Sequence, residues 1–233
     1  MRVNLISHTR DPERTVAAAM RLCYSASEID NIIENLDQNE THRLIRKVLT
    51  LGHLSVLEHA SFTFAIEGIS RACSHQLVRH RMASFSQQSQ RYVSMLNFDH
   101  TIPISISNNA CILDDYYQTI DTIRKQYEKL LACGISAENA RYILPNSTET
   151  KLIMTANARS LMNFFELRLC TRAQWEIQQL AGIMLTKVRG IAPILFESAG
   201  PSCESKGCCN EGEMTCGRMD AISANSQNRE ERT

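Results

Sequence analysis

A chain of 233 residues is long enough for one sizeable domain or two small ones, and it can bury a core without disulfide staples. Its 25 basic and 25 acidic residues give a formal net charge of zero, which argues against bulk electrostatic binding to nucleic acid or an anionic membrane. A composition of 43% hydrophobic and 21% charged residues is that of a globular protein and argues against a disordered or fibrous chain.

The predicted elements mix strands and helices. Asp11 and Ser27 are placed to cap helices, Gly52 and Gly134 to end them, and Pro193 to terminate the last one. In chain order we predict a strand at 3–5, helices from 12, from 28 and at 44–51, a strand at 61–68, a helix at 69–78, an extended segment at 82–94, strand-like pieces at 97–111, a helix at about 112–133, a short helix after 136, a strand at 151–157, and helices near 158–168 and 172–190.

This order lacks a regular alternation of strand and helix, so it favours an α+β fold. We expect one domain at residues 1–199 and a polar, cysteine-bearing tail at 200–233, mobile unless a metal or a partner orders it. No apolar run is long enough for a membrane span, and none near the start is typical of a secretory signal. With nine cysteines expected as free thiols, we predict a cytoplasmic protein with neither a membrane nor a nucleic-acid partner.

Residues 68–98 contain no acidic residue but four arginines, giving this segment a local charge of +4. Guanidinium groups match phosphate oxygens in two-point contacts, and glutamine amides offer a donor beside an acceptor. That combination suits a site that binds an anion and also recognises the polar edge of a flat heterocycle, such as uracil or a flavin. A solvated strand with surface arginines is the open alternative.

A second polar group lies at residues 155–168, where Asn157, Arg159 and Asn163 precede Arg168. Arg159 and Asn163 are four residues apart and share a face of the predicted helix. Helix caps and internal salt bridges are the alternative role for these side chains. The apolar residues expected to point toward the core are Leu161, Phe164, Phe165 and Leu167.

Two other groups could bind metal. His53, Glu58 and His59 do not have the H-E-x-x-H spacing, so capping by Ser55 and a core histidine are preferred and no metal is predicted. In the tail, the spacing of the cysteines differs from the paired C-x2-C of structural zinc sites, which leaves a soft-metal site and a redox-sensitive tail both open. These tail cysteines are Cys203, Cys208, Cys209 and Cys216.

The segment 79–92 resembles the signature of the flavin-dependent thymidylate synthases, the ThyX family, through RHR and through Ser84, Ser89, Arg91 and Tyr92. The resemblance is reinforced by GH-x-S-x-x-EH at 52–59, ARYILP at 140–145 and NARSLMNF-x-x-LR at 157–168. It runs from about residue 12 to 198 and leaves the tail outside.

The resemblance implies a single domain in which helices pack around a largely antiparallel sheet. It implies reductive methylation of dUMP to dTMP, with 5,10-methylenetetrahydrofolate as the carbon donor and NADPH as the reductant acting through non-covalent FAD. It also implies a homotetramer whose active sites are shared between subunits.

Site residues follow from the same resemblance. For dUMP they are Gln76, Leu77, Val78, Arg79, Gln87, Gln88, Ser89, Gln90, Arg91, Arg141 and Arg168. For FAD they are Ser55, Arg79, His80, Arg81, Gln87, Asn157, Ala158, Arg159 and Asn163. His53 would lie near the flavin, where nicotinamide or folate approaches.

Arg168 would be the catalytic residue at the N3 edge of dUMP. A guanidinium there stabilises the N3 anion and pushes electron density toward C5, so no cysteine has to attack C6. The P-C-H context of a cysteine-dependent thymidylate synthase is absent, and Cys170 is expected to be a small buried packing residue. Gln87 stands where many family members have Glu, so any role that needs a carboxylate fails here.

Overall fold

The computed structural model of the protein describes residues 1–220 and residue 222. The strands are β1 (Arg2–His8), β2 (Ser61–Ser70), β3 (Ser84–Gln87) and β4 (Glu149–Asn157). The α-helices are α1 (Pro12–Leu22), α2 (Ile29–Glu34), α3 (Gln38–Leu51), α4 (Arg71–Leu77), α5 (Ile104–Ser107), α6 (Ala110–Ala132), α7 (Ala137–Ala140), α8 (Ala158–Arg168), α9 (Trp175–Ile191) and α10 (Ser202–Ser205). Short 3₁₀ helices cover Leu54–His59, Arg141–Ile143 and Gly212–Met214.

The four strands form one antiparallel sheet in the order β1-β2-β4-β3. The alternation predicted in β2 is confirmed, because Phe62, Phe64 and Ile66 are buried while the residues between them are partly exposed. Mixed helices around an antiparallel sheet confirm the α+β fold class.

Local sequence determines several helix ends. The Asp37 carboxylate accepts a hydrogen bond from the Glu40 main-chain N–H at 2.7 Å and caps α3, which ends at Gly52 with a φ of 71°. Asp11 does precede α1, but with a φ of 45° and without a side-chain cap. The cap predicted at Ser27 is wrong, since Glu28 occupies the N-cap position of α2.

Two further predictions from the sequence are wrong. No strand forms at 97–111; Pro103 instead caps the short helix α5, and only an isolated bridge pairs His100 with Thr148. A proline that cannot donate to a ladder but can start a helix explains the difference. Leu167 does not face the core, because it lies on the outer face of α8 with 53% of its surface exposed.

The chain divides into two compact units, and each strand contributes residues to both. The first unit comprises Met1–Arg2, Ala65–Arg79 and Phe85–Met154; the second comprises Val3–Phe64, His80–Ser84 and the described residues from Thr155 onward.

Each unit has its own core. In the first unit, Tyr127 is fully buried and its hydroxyl accepts a hydrogen bond from the Met95 main-chain N–H at 3.1 Å. In the second unit, Phe196 packs edge-on against Phe62 and Phe165, with ring centroids 5.4 and 6.0 Å apart. Burial of each such ring contributes roughly 1.5–3 kcal/mol, and together they hold α8 in place.

Residues 200–220 belong to the second unit. The Lys206 Nζ lies 2.7 Å from the Glu166 Oε1 on α8, and the Arg218 Nη1 lies 3.1 Å from the Glu204 Oε1. A mobile tail at 200–233 stays a prediction, and the part of it at 221 and 223–233 lies outside the described residues. No described helix combines the length and apolar character needed to cross a membrane.

Candidate active site

In the first unit, α4 and the turn after it carry the residues 76–79. Gln76 is half-buried, and Val78 and Arg79 are exposed. The Leu77 side chain is fully buried in the core. Any ligand contact of Leu77 can therefore be made only by its main chain.

Gln87, at the end of β3, has an amide whose orientation follows from its partners. Its Nε2 donates to the Ser74 Oγ at 3.0 Å and to the Thr150 Oγ1 at 3.1 Å. The Ser74 hydroxyl in turn donates to the Arg71 carbonyl at 3.0 Å. With both N–H groups engaged, Gln87 keeps its carbonyl oxygen as an acceptor for a ligand.

Glu138 on α7 brings two predicted site arginines together. Its Oε1 lies 2.8 Å from the Arg91 Nε, and its main-chain oxygen accepts from the Arg141 Nε at 3.1 Å. The Ser89 hydroxyl oxygen accepts from the Arg91 main-chain N–H at 3.1 Å. Glu138 was not identified from the sequence, because 47 residues separate it from Arg91.

Arg71, at the start of α4, is a site residue that the sequence reasoning did not single out. It is half-buried, and its guanidinium makes no hydrogen bond or ion pair with another described residue. Burial lowers its pKa, and so does the positive charge of Arg141. Two guanidiniums that repel each other, one of them with no carboxylate partner among the described residues, are suited to binding an anion. Its position in the acid-free segment 68–98 was the available signal.

The main chain also engages Gln88, whose N–H donates to the Lys151 carbonyl at 2.9 Å. The Gln88 and Gln90 side chains are half-buried. The first unit thus contains the predicted nucleotide residues 76–79, 87–91 and Arg141.

In the second unit, a cavity of about 580 Å³ lies beside α8. Arg159 and Asn163 line it, as their shared helix face predicts, together with Asn157, Glu58 and Lys206. Its size lies within the usual range for small-molecule sites.

Two of these side chains, Asn157 and Arg159, have internal partners, as expected for the alternative role in helix caps and salt bridges. The Asn157 side-chain oxygen caps α8 by accepting from the Ser160 main-chain N–H at 2.9 Å, which leaves its NH₂ group for a ligand. The Arg159 Nη1 lies 2.5 Å from the Glu58 Oε1, and both side chains are about half exposed. Ala158 is buried and its N–H donates to the Ala60 carbonyl at 2.7 Å.

His80 is held in one orientation. It is only 7% exposed, its Nε2 donates to the Ser160 carbonyl at 2.8 Å, and its ring packs edge-on against Phe164 at 5.4 Å. Burial lowers its pKa, and the nearby charge of Arg168 acts in the same direction, against the opposing effect of the Ser160 hydrogen bond. A neutral ring with its proton on Nε2 leaves Nδ1 as an acceptor.

Arg168 is the last residue of α8 and is half-buried. Within the described part of the chain its guanidinium makes no hydrogen bond or ion pair. A half-buried guanidinium without an internal partner is available to bind a ligand. Arg81, also of the RHR segment, is exposed.

A smaller cavity of about 280 Å³ in the same unit is lined by His53, Ser55, Tyr24 and Arg159. The Tyr24 hydroxyl lies 2.8 Å from the His53 Nδ1, and the two rings stack with centroids 6.1 Å apart. Tyr24 was missed from the sequence because no motif links it to residue 53. The predicted capping by Ser55 is wrong, because His53 occupies the N-cap position of the 3₁₀ helix Leu54–His59. His53 is also exposed and is therefore not a core histidine.

Among residues 1–220 and 222, no three histidine, cysteine, aspartate or glutamate side chains are grouped to hold a metal ion. His53 and Glu58 are instead engaged by Tyr24 and Arg159. Cys170 is only partly buried, so the expectation of a buried packing residue is wrong.

Comparison with known proteins identifies the family. The family model described as thymidylate synthase complementing protein matches residues 4–194. A flavin-dependent thymidylate synthase of Geobacter sulfurreducens is 51% identical over 95% of this chain and 96% of its own. The chain belongs to the flavin-dependent thymidylate synthase family.

Other relatives agree with this membership. A flavin-dependent thymidylate synthase of Clostridium tetani is 43% identical over 94% of both chains. The crystal structure of the UMP/dUMP methylase PolB from Streptomyces cacaoi, bound with 5-Br dUMP, superposes with a TM-score of 0.72 at 28% identity, covering 84% of this chain and 93% of that one. The predictions of the family, of a thymidylate-forming enzyme and of a flavin as its cofactor are confirmed.

Proposed function

We propose that this enzyme methylates dUMP at C5 to give dTMP, with 5,10-methylenetetrahydrofolate as the carbon donor and NADPH as the source of reducing equivalents. The flavin is proposed to be FAD. The observation that carries the proposal is Arg168, a half-buried guanidinium with no hydrogen-bond or ion-pair partner among the described residues, on the helix that also lines the large cavity.

The phosphate of dUMP is assigned to the arginines of the first unit. Arg141 lies close enough to Arg71 for its positive charge to lower the pKa of Arg71, after the larger effect of burial. Arg71 has no carboxylate partner among the described residues. A dianionic phosphate would relieve that repulsion and accept hydrogen bonds from both forks. Arg91 has to share its charge with Glu138 and contributes less.

Polar side chains of the same unit are assigned to the nucleoside. Gln87 offers a carbonyl acceptor, since its NH₂ group is engaged by Ser74 and Thr150. Gln76, Gln88, Ser89 and Gln90 supply further donors and acceptors, and Leu77 and Val78 contribute through the main chain.

Arg168 is assigned to the N3 edge of the uracil. Its positive charge favours loss of the N3 proton, and the ring anion carries electron density at C5, where the new bond forms. A charge-assisted hydrogen bond contributes about 1.5–3 kcal/mol, which is roughly a 10- to 150-fold effect on the rate if it is made only in the transition state. Activation in this way requires no thiol at C6.

The large cavity of the second unit fits a dinucleotide cofactor. Arg159 and Lys206 provide cationic groups for a diphosphate, although each also pairs with a carboxylate of the same cavity, Glu58 and Glu166. The Asn157 NH₂ and the Asn163 amide provide donors for a flat ring. His80 offers Nδ1 as an acceptor, and Arg79, Arg81, Gln87 and Ala158 complete the proposed set. When bound, FAD carries reducing equivalents from NADPH to the transferred one-carbon unit.

The smaller cavity is assigned to the approaching nicotinamide or folate. His53 and Ser55 lie there with Tyr24, and Arg159 borders both cavities. The stacked rings of Tyr24 and His53 present a flat surface next to the proposed flavin residues.

We also propose that the enzyme is a homotetramer in which each active site contains residues of more than one subunit. In the first unit the rings of Tyr92 and Tyr142 are 80% and 83% exposed. Aromatic side chains exposed to this extent are typical of surfaces that a partner or a ligand covers. Light scattering after gel filtration would show a mass four times 26.4 kDa.

A visible absorption spectrum tests the proposed function directly. The purified protein should show a flavin spectrum that NADPH bleaches faster when dUMP is present, and dTMP should form once 5,10-methylenetetrahydrofolate is added. Protein that stays colourless after incubation with FAD, or that bleaches without forming dTMP, would contradict the proposal.

A further inference from the structure

Four of the nine cysteines line one small cavity in the second unit. The cavity has a volume of about 20 Å³, and its walls come from residues 170–172 after α8 and from residues 201–219 of the tail. Its cysteines are Cys170, Cys203, Cys209 and Cys216. A void of this size holds little more than one water molecule, so the loop and the tail pack closely here, with cysteines on both sides of the gap.

Cys216 differs from the others in its surroundings. It is exposed, and its pKa is lowered first by a hydrogen bond from the Thr171 hydroxyl and then by the Arg218 main chain. The positive charge of Arg218 acts in the same direction. A thiol stabilised as the thiolate and open to solvent is the nucleophilic form of cysteine.

Contacts between the loop and the tail hold Cys170 next to this site. Thr171 and Cys216 line the same cavity, and the neighbouring Cys170 Sγ lies 3.9 Å from the Glu211 Oε1. The Arg172 Nη2 lies 3.5 Å from the Met214 Sδ. Cys170 and Arg172 therefore both contact the tail segment 211–216, Thr171 between them lines the same cavity, and Cys170 is the partly buried thiol of the loop.

We propose that Cys216 is a redox-reactive thiol that forms a disulfide with Cys170 under peroxide. The Cys216 thiolate attacks one oxygen of hydrogen peroxide, giving a sulfenic acid and, after protonation, one water. The Cys170 thiol then attacks the sulfenic sulfur, the S–S bond forms, and a second water leaves. Two thiols are oxidised by one peroxide, and a dithiol reductant restores them.

The bond would act on the proposed active site, and this consequence rests on the proposed function. A disulfide requires the two Cβ atoms to approach to about 3.5–4.5 Å, which pulls on the loop that starts two residues after Arg168. Within the described residues no hydrogen bond or ion pair anchors the Arg168 guanidinium, so its position depends on where the main chain holds it. Oxidation should therefore lower the turnover of dUMP reversibly and leave flavin binding unchanged.

Peptide mapping of the full-length enzyme after treatment with hydrogen peroxide tests the pairing. Trypsin cleaves after Arg168, Arg172, Arg189, Lys206 and Arg218, which places Cys170 in 169–172, Cys203 in 190–206 and the other three tail cysteines in 207–218. A glutamyl endopeptidase then cleaves after Glu211 or Glu213 and separates Cys216 from Cys208 and Cys209. The expected product links 169–172 to the fragment containing Cys216. Peroxide treatment that links other cysteines, or none, would overturn the proposal.

Matched variants separate reactivity from folding. Cys216→Ser should abolish the linkage, whereas Cys208→Ser, an exposed tail cysteine outside the cavity, should leave it intact. Thr171→Ala should slow alkylation of Cys216 by iodoacetamide several-fold, and Thr171→Ser should restore the rate. Equal rates in Thr171→Ala and the parent would show that the hydroxyl does not activate the thiol.

The activity measurement is a second, separate arm. Loss of dTMP formation on oxidation and recovery with dithiothreitol are expected in the parent and in Cys208→Ser, but not in Cys216→Ser. A mapped disulfide without any change in activity would overturn the consequence for Arg168. An enzyme inactive before oxidation would count against the proposed function instead, since the peptide map does not depend on turnover.

Discussion

The buried imidazole of His80 provides a test of how α8 is held. His80→Phe keeps a ring of similar size against Phe164 but loses the donor to the Ser160 carbonyl. We expect the free energy of unfolding to fall by about 1–2 kcal/mol, the net effect of a buried hydrogen bond and an acceptor left with one partner fewer. His80→Ala additionally removes the ring and leaves a cavity, for a total of about 2–4 kcal/mol.

Urea unfolding followed by circular dichroism measures both changes at one fixed protein concentration, since an oligomer's stability depends on it. His75→Ala, an exposed histidine on α4, is the matched control and should stay within about 0.5 kcal/mol of the parent. If His80→Phe is as stable as the parent, the hydrogen bond to Ser160 does not contribute. If His80→Phe is as unstable as His80→Ala, packing of the ring against Phe164 does not contribute to stability.

Three further outcomes are expected. The pKa of His80 in the folded state is depressed, chiefly by burial. Its contribution to stability is therefore complete above about pH 6.5 and is lost as the pH falls through the folded-state pKa. His80→Phe should flatten this part of a stability profile measured from about pH 8 to 5, and an unchanged slope would contradict the role of His80. Asn157→Ala should cost about 1 kcal/mol by removing the cap of α8, and Asn157→Asp should recover most of it in thermal melts. Gln87→Glu should cost about 1 kcal/mol in urea unfolding, because carboxylate oxygens cannot donate to Ser74 and Thr150; a variant at least as stable would refute the assigned amide orientation.

The sequence predicted what depends on local pattern. Alternating apolar residues gave β2, the glycine at position 52 ended α3, and the shared helix face of Arg159 and Asn163 placed both beside one cavity. Such features depend on neighbours three or four residues away, which a single sequence displays directly.

Other features depend on distant contacts and could not be predicted. Glu58 pairs with Arg159 across 101 residues, and Tyr24 meets His53 across 29. Arg71 stood in the acid-free segment, but its proximity to Arg141 becomes visible only in the fold. The ion pairs of the tail, such as Lys206 with Glu166 across 40 residues, likewise follow from no local pattern.

The most direct test of the central claim is deuterium release from 5-deuterio-dUMP by Arg168→Ala, with FAD, NADPH and 5,10-methylenetetrahydrofolate present. Flavin absorbance per chain is measured on the same preparation, so that a folding or cofactor defect is recognised. The variant should retain its flavin and release deuterium about 10- to 150-fold more slowly, because it loses about 1.5–3 kcal/mol of charge-assisted hydrogen bonding. Arg168→Lys should recover little, because a point charge replaces a planar fork. Release at the parent's rate from flavin-loaded Arg168→Ala would show that another group activates the pyrimidine.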